Sequence, residues 1–264
     1  MGEAKIRLDA VSYSYPGVRA PLEALREVSF ACAPGEIVAV VGPSGCGKSS
    51  LLSLVAGLRA PTGGAVLLDG RPVAGPTAGI GLLFQRNTLL PWRTVKENVE
   101  LGMEIRGVPG RERAARAQAL IHQYGLAGFE RKFPHALSGG MQKRVALIQT
   151  LAVDPQTLLL DEPFASLDAQ TRLVIEDDVV KICRAGHRTA LLVTHDIAEA
   201  ISMADRIIVL SRRPARVKAT FEIPLGRAAA KVADVPAMPE FTRYFRWVWE
   251  ALEVSLPALA GDGG

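Results

Sequence analysis

The chain carries the run Gly42-Pro43-Ser44-Gly45-Cys46-Gly47-Lys48-Ser49, which matches G-x-x-x-x-G-K-[ST], the spacing of a phosphate-binding loop. The preceding residues, Ile37 to Val41, are apolar and mostly β-branched, so they predict a buried strand. The following residues, Ser50 to Leu58, place leucines at helical spacing. A strand, a glycine-rich loop and a helix in this order are the setting that the motif requires.

A loop of this kind binds phosphate through its backbone. The N–H groups of the loop and of the helix N-terminus converge on an anion, and the glycines permit close approach. We expect Lys48 to place its charge on the β- and γ-phosphates and Ser49 to offer its hydroxyl to Mg²⁺. We therefore assign residues 42–49 and the adjoining Ser50 to binding the phosphates of a nucleotide, with Lys48 also catalytic. An ordinary glycine-rich turn is the alternative interpretation.

The composition of the 264 residues fits a globular protein, with 48% hydrophobic residues and no apolar run long enough to cross a bilayer. Residues 1–9 lack the apolar segment of a signal peptide. The three cysteines are odd in number and show no metal-binding spacing, which predicts reduced thiols in the cytoplasm. The net charge of +4 is dispersed along the chain, so we expect no nucleic-acid partner.

The order of the predicted elements indicates an α/β fold. Strands that alternate with helices predict a mostly parallel sheet covered on both faces, the core of a P-loop NTPase. Antiparallel strands surround its first strand, and an α-helical block at about 87–153 is inserted. We place one domain at residues 1–211. A C-terminal extension, 212–264, carries an apolar helical stripe that is expected to pack on this domain, and its last residues, 260–264, are expected to be disordered.

The first predicted strand runs from residue 6 to residue 15 and changes phase in its middle. One face is predicted to carry Ile6, Leu8 and Ala10. The other face is predicted to carry Val11, Tyr13 and Tyr15. Such a change of alternation suggests a β-bulge.

Two acids follow another apolar run, Leu158-Leu159-Leu160-Asp161-Glu162-Pro163. Pro163 cannot donate to a sheet, so the strand ends there and both carboxylates lie at its carboxyl edge, where open α/β sheets bind ligands. Asp161 fits the role of holding Mg²⁺ or its water, and Glu162 that of a general base for the attacking water. A solvated Asp-Glu turn is the alternative.

A second candidate anion site is the segment Leu137-Ser138-Gly139-Gly140-Met141-Gln142. Ser138 is a good helix cap, and the two glycines expose N–H groups at the positive end of a helix. A plain N-cap is the alternative interpretation.

Together, these motifs resemble the nucleotide-binding subunits of ATP-binding cassette (ABC) transporters over about residues 6 to 210. In that family, the segment matching Leu137 to Gly140 is the signature motif, which faces the γ-phosphate bound by an opposite subunit. The resemblance therefore implies that two copies of the chain sandwich two ATP molecules, with Ser138, Gly139 and Gly140 binding nucleotide. Met141 stands where the family commonly has glutamine.

The resemblance also implies roles for four residues outside these motifs. Tyr15 resembles the aromatic that stacks on adenine, although an aromatic in a first strand can also be core. Gln85 resembles the glutamine that touches Mg²⁺ or water and follows the membrane subunit. Asp168, in the loop Ser166-Leu167-Asp168, resembles the residue that crosses the dimer interface. His195 resembles the histidine that contacts the γ-phosphate, although a lone histidine at a strand end is usually structural.

A finer resemblance points to importers of nitrate, sulfonate or taurine. It rests on Phe84-Gln85-Arg86, on Leu89-Leu90-Pro91-Trp92, and on Arg213-Pro214 in the tail. It implies two integral membrane permease subunits, indirectly a periplasmic or surface solute-binding protein, and a location on the cytoplasmic face of the inner membrane. Trp92 either fills the core of its own domain or lines a groove for the membrane subunit.

Two rival functions remain open from the sequence. A soluble cassette ATPase acting on DNA would need a long coiled coil or a strongly basic surface, and the chain shows neither. A phosphate-loop kinase or GTPase would not need the signature segment or His195.

Overall fold

The computed structural model describes residues 4–17, 20–85, 88–165, 167–225 and 231–252. They form two sheets flanked by helices. In spatial order the larger sheet contains β10 (Val217–Glu222), β9 (Arg206–Leu210), β3 (Ile37–Val41), β8 (Thr189–Thr194), β7 (Thr157–Asp161) and β6 (Ile80–Leu83). Neighbouring strands of this sheet run parallel to one another, except that β10 is antiparallel to β9. The predicted mostly parallel α/β core is therefore confirmed.

Both faces of the larger sheet are covered, because every residue of β3 is buried. Val38 and Val40 pack into one apolar cluster, with the helix after the phosphate loop and the smaller sheet. Ile37 and Val41 pack into a second cluster, with the later helices. The helices of the two faces are α1 (Lys48–Val55), α5 (Ala169–Ala185) and α6 (Ile197–Met203). A strand buried on both sides explains the continuous apolar run in the sequence.

The smaller sheet is antiparallel. In spatial order it contains β2 (Leu22–Cys32), β1 (Ile6–Tyr15), β4 (Gly63–Leu68) and β5 (Arg71–Pro72). The pairing of β1 with β4 shifts between Asp9 and Ser12, and Ala10 has a positive φ of 47°. The predicted bulge is confirmed.

The faces predicted for β1 are wrong. Val11 and Tyr13 are buried in the same apolar cluster as Ile6 and Leu8, whereas Ala10 is exposed. The extra residue of the bulge reverses the alternation, so both halves of the strand turn the same face inward.

The inserted helical block contains α2 (Val95–Ile105), α3 (Gly110–Gln123), a short 3₁₀ turn (Pro134–Ala136) and α4 (Gly139–Leu151). Thr94 and Glu97 cap the N-terminus of α2 with reciprocal hydrogen bonds, a capping box that stabilises the helix start. Ser138 caps α4 by accepting from the N–H of Met141 at 3.3 Å. The block thus ends in a capped helix whose first turn carries the signature segment.

The C-terminal extension packs on the core. After β10 it forms a 3₁₀ helix (Val232–Ala237) and α7 (Phe241–Leu252). Val248 is buried, and Phe241, Tyr244, Phe245 and Leu252 pack against the cluster that contains α6. Residues 260–264, which we expected to be disordered, lie outside the described residues. Within the described part of the chain, none of the helices has the length and hydrophobicity needed to cross a bilayer.

Candidate functional site

The phosphate loop joins β3 to α1 and carries its own cation. Gly47 has a φ of 122°, and a Cβ on Gly42 would lie 2.9 Å from the Cys46 sulfur, so both positions require glycine. The Lys48 ammonium is buried and donates to the carbonyl oxygens of Gly42 at 2.9 Å and Pro43 at 3.2 Å. The positive charge therefore lies inside the loop, as the motif predicts.

Ser49 and Asp161 meet at the carboxyl edge of the larger sheet. The Ser49 hydroxyl donates to Asp161 Oδ1 at 3.0 Å. Burial raises the pKa of the Asp161 carboxyl, and the hydrogen bond from Ser49 opposes that rise. Hydroxyl and carboxylate oxygens are ligands that Mg²⁺ prefers. The pair therefore fits a magnesium ion that is bound jointly with nucleotide phosphates.

Among the described residues, no larger group of metal ligands competes with this pair. The described residues contain no cluster of three or more His, Cys, Asp or Glu side chains that could hold a metal ion. Mg²⁺ in phosphate-transfer sites is commonly held by one or two carboxylates together with substrate oxygens. The single carboxylate of Asp161, with Ser49 and the nearby amide of Gln85, is a donor set of that kind.

Glu162 lies between two other predicted site residues. Gln85 Nε2 donates to Glu162 Oε2 at 2.9 Å, and His195 Nδ1 lies 3.4 Å from Glu162 Oε1. Glu162 has a φ of 42°, an uncommon conformation for a residue other than glycine, and its N–H donates to Val193 O at 2.9 Å. The turn after β7 thus directs this carboxylate to the cavity, and Gln85 and His195 contact it from two sides.

A cavity of about 300 Å³ brings half of the predicted site residues together. Its lining is Tyr15, Ser44, Gly45, Gly47, Lys48, Ser49, Ser50, Gln85, Glu162 and Arg213. The Tyr15 hydroxyl is 2.7 Å from Ser50 Oγ, and the Arg59 guanidinium lies 5.1 Å from the Tyr15 ring centre. Tyr15 is half-buried: it packs against the apolar cluster that contains Tyr13, and it also lines the cavity.

The signature segment lies elsewhere. Ser138, Gly139 and Gly140 do not line this cavity, and neither does Asp168, which caps α5 by accepting from the N–H of Thr171 at 2.9 Å. A Cβ on Gly140 would lie 2.8 Å from Thr171 Cγ2, so the signature segment and the start of α5 are adjacent. Ser166 lies outside the described residues.

Two basic residues near the site were not predicted. Arg213 lines the cavity and donates to the carbonyl oxygen of Gly45. Lys143 is buried and donates to the carbonyl oxygens of Phe84 and Gln85. The sequence did contain an indication that Lys143 is buried, because Lys143 precedes Leu147 by four residues and so lies on the inward face of α4.

Comparison of the sequence with known proteins finds relatives that are all of one kind. A family model described as ABC transporter matches residues 25–165. An uncharacterized ABC transporter ATP-binding protein of Methanocaldococcus jannaschii is 48% identical over 206 residues, which cover 78% of this chain and 77% of that protein. The taurine import ATP-binding protein TauB of Yersinia pestis bv. Antiqua is 44% identical over 221 residues, 83% of this chain and 87% of that protein.

A solved structure gives the same relationship. A dimeric ATP-binding cassette in a post-hydrolysis state, bound to ADP and phosphate, superposes with a TM-score of 0.75 at 32% identity. The alignment covers 83% of this chain and 98% of that one. The chain therefore belongs to the ATP-binding subunits of ABC transporters, and it is an ATPase.

Proposed function

We propose that this ATPase energises an importer and that Glu162 is the base of its reaction. The position of Glu162, between Gln85 and His195 and next to the pair formed by Ser49 and Asp161, carries the assignment of the base, and the TauB relative supports import. A carboxylate oriented from two sides can align a water molecule and take its proton. His195 contacts the γ-phosphate from the neighbouring strand end.

The remaining roles follow from what surrounds the cavity. Lys48 and the loop N–H groups hold the phosphates, and Tyr15 stacks on adenine. Ser49, Asp161 and Gln85 hold Mg²⁺, which neutralises charge on the phosphates when it is bound. Each residue of this group lies on the cavity or contacts a residue that does.

We propose further that a second copy of the chain completes each site. Ser138, Gly139 and Gly140 form the N-terminus of α4, an anion-binding feature, and none of them lines the cavity of their own chain. Asp168 stands next to them, at the start of α5. This placement suits contact with nucleotide on the opposite subunit, and the dimeric cassette that superposes on the chain supports it.

The import partners are two integral membrane subunits and, through them, a solute-binding protein. The solute is a small organic or inorganic anion such as taurine, another sulfonate or nitrate; the TauB relative supports this choice. The chain then works at the cytoplasmic face of the inner membrane as a peripheral subunit.

Trp92 is the residue that we assign to contact with the membrane subunit. It is 71% exposed, so the alternative that it fills the core of its own domain is wrong. Its loop is nevertheless fixed, because Leu89 is buried and the buried Asn98 bonds both the N–H (2.7 Å) and the carbonyl (3.1 Å) of Leu90. A fixed loop with an exposed aromatic is suited to receive a partner helix.

The experiment compares Trp92→Ala with Trp249→Ala, a matched control because Trp249 on α7 is 53% exposed. Each variant is co-expressed with candidate permease subunits from the same genome, purified in detergent and assayed for ATPase stimulation by taurine-, sulfonate- or nitrate-loaded binding protein. We expect both isolated chains to melt like wild type and only Trp92→Ala to lose stimulation. A stimulated Trp92→Ala complex would contradict the docking assignment. A wild-type chain that captures no membrane subunit would contradict the importer function.

A further inference from the structure

Lys143 is a buried cation that no motif assigns to the reaction. It lies five residues after Ser138 on α4, and its side chain faces inward with Val145, Leu147 and Leu151. The residue is only 5% exposed. Moving an ammonium group out of water is costly unless polar partners replace the lost hydration, so its partners indicate its role.

The partners of Lys143 are two backbone carbonyl groups at the end of β6. Its Nζ donates to Phe84 O at 2.9 Å and to Gln85 O at 2.8 Å. Burial lowers the pKa of Lys143, and the negative charge of Asp161 opposes that shift. Hydrogen bonds with a charged donor are about twice as strong as neutral ones, so α4 is firmly joined to this short segment.

The same segment carries a side chain of the reaction site. Gln85 Nε2 donates to Glu162 Oε2 at 2.9 Å. A continuous set of contacts therefore runs from Lys143 to the Gln85 backbone, through the Gln85 side chain, and on to Glu162. At the other end, the first turn of α4 carries Ser138 and Gly140.

We propose that Lys143 is a positioning residue that couples the signature segment of a chain to Gln85 and Glu162 of the same chain. The inference rests on the proposed function, in which the signature segment binds nucleotide on the opposite subunit. A movement of α4 when that nucleotide binds or leaves then shifts the Gln85 backbone, and with it the amide that contacts Glu162. Each chain thereby links its own site to the site it shares with its partner.

The test uses Lys143→Met, which keeps the apolar stem and removes the donors, and Lys143→Gln, which restores N–H donors without charge. Because a misplacement of about 1 Å can cost about 100-fold in rate, we expect Lys143→Met to lower kcat about 10- to 100-fold. We expect KM for ATP to stay within about twofold, because the phosphate loop is untouched. Lys143→Gln should recover most of the rate. Lys96→Met, on the surface of α2, is the matched control and should behave like wild type.

A double-mutant cycle separates positioning from simple support of the fold. In a Gln85→Ala background, Lys143→Met should cost less than about twofold further in kcat, since the contact it acts through is gone. An equal loss of rate with and without Gln85 would overturn the proposal, as would a wild-type rate for Lys143→Met. If Lys143→Met does not fold, the cycle is run with Lys143→Ala, which also removes the donors, and its outcomes decide in the same way. Absence of ATP hydrolysis by the wild-type chain in this assay would instead contradict the proposed function.

Discussion

The phosphate loop and the signature segment are both glycine-rich and both begin a helix, but they carry different side chains and lie differently relative to the cavity. The phosphate loop has no side-chain cap, and its Lys48 and Ser49 lie on a cavity beside Asp161. The signature segment is capped by Ser138. Its residues 138–140 contain no charged side chain, and none of them lines the cavity.

The difference shows what each helix N-terminus can do alone. The first has a cation, a hydroxyl and nearby carboxylates, so it can hold phosphates and prepare a water molecule within one chain. The second offers only backbone dipoles and a serine hydroxyl, so it can add to an anion site that something else builds. The comparison predicts that changes at the first segment act on binding and chemistry within a chain, whereas changes at the second act first on the site of the opposite chain.

The largest effect is expected at Glu162. Glu162→Gln keeps the shape of the side chain and removes the carboxylate charge, so the turnover of ATP should fall about 100- to 10,000-fold. ATP binding should persist, and dimers should accumulate with ATP and Mg²⁺ on size-exclusion chromatography. Hydrolysis at the wild-type rate would show that Glu162 is not the base.

A smaller effect is expected on the affinity of a single chain for ATP. Lys48→Ala removes the buried cation of the loop and should weaken binding about 10- to 100-fold, the worth of a charged hydrogen bond. Ser138→Arg should leave this affinity unchanged, because Ser138 does not line the cavity. Fluorescent-nucleotide titration at concentrations that keep the chain monomeric measures both. Equal losses in the two variants would break the distinction between the segments.

The smallest effect on the reaction itself is expected from a residue of α6, which acts on the stability of the fold. Burial, with added repulsion from Glu176 and Asp196, raises the pKa of Glu199 on α6 from 4.5 to about 8. Between these values the folded state keeps a proton that the unfolded state has lost, so stability falls as pH rises from about 4.5 to about 8. Glu199→Gln removes this penalty, so it should stabilise the protein by up to about 4 kcal/mol more at pH 8 than at pH 4.5. Thermal melts of the variant and of wild type at pH 4.5 and at pH 8 test this prediction. A difference in stability between the two proteins that is the same at both pH values would contradict it.

Much of the fold could be predicted because local pattern and tertiary setting agree. The buried run at residues 37–41, the capping box at Thr94 and the acids after β7 lie where the sequence indicates. The faces of β1 could not be predicted, because one extra residue at the bulge reverses the alternation and the sequence does not show where pairing shifts.

Prediction of the site from the sequence was limited in the same way. The phosphate loop is contiguous, so its spacing alone locates it. Arg213 and Lys143 reach the site through tertiary contacts with Gly45 and Gln85, distant in sequence, and only the fold brings them there. The exposure of Trp92 likewise depends on Leu89 and Asn98 fixing its loop, which no local pattern reveals.

The central claim, that each site is shared between two chains, is tested most directly by mixing two inactive variants. Lys48→Ala lacks the phosphate-loop half and Ser138→Arg lacks the signature half, so neither should hydrolyse ATP alone. A mixed dimer contains one intact site, and random mixing in equal amounts should restore about a quarter of wild-type activity. Activity that stays at the level of the separate variants, with mixed dimers shown to form by tag pull-down, would contradict the shared site.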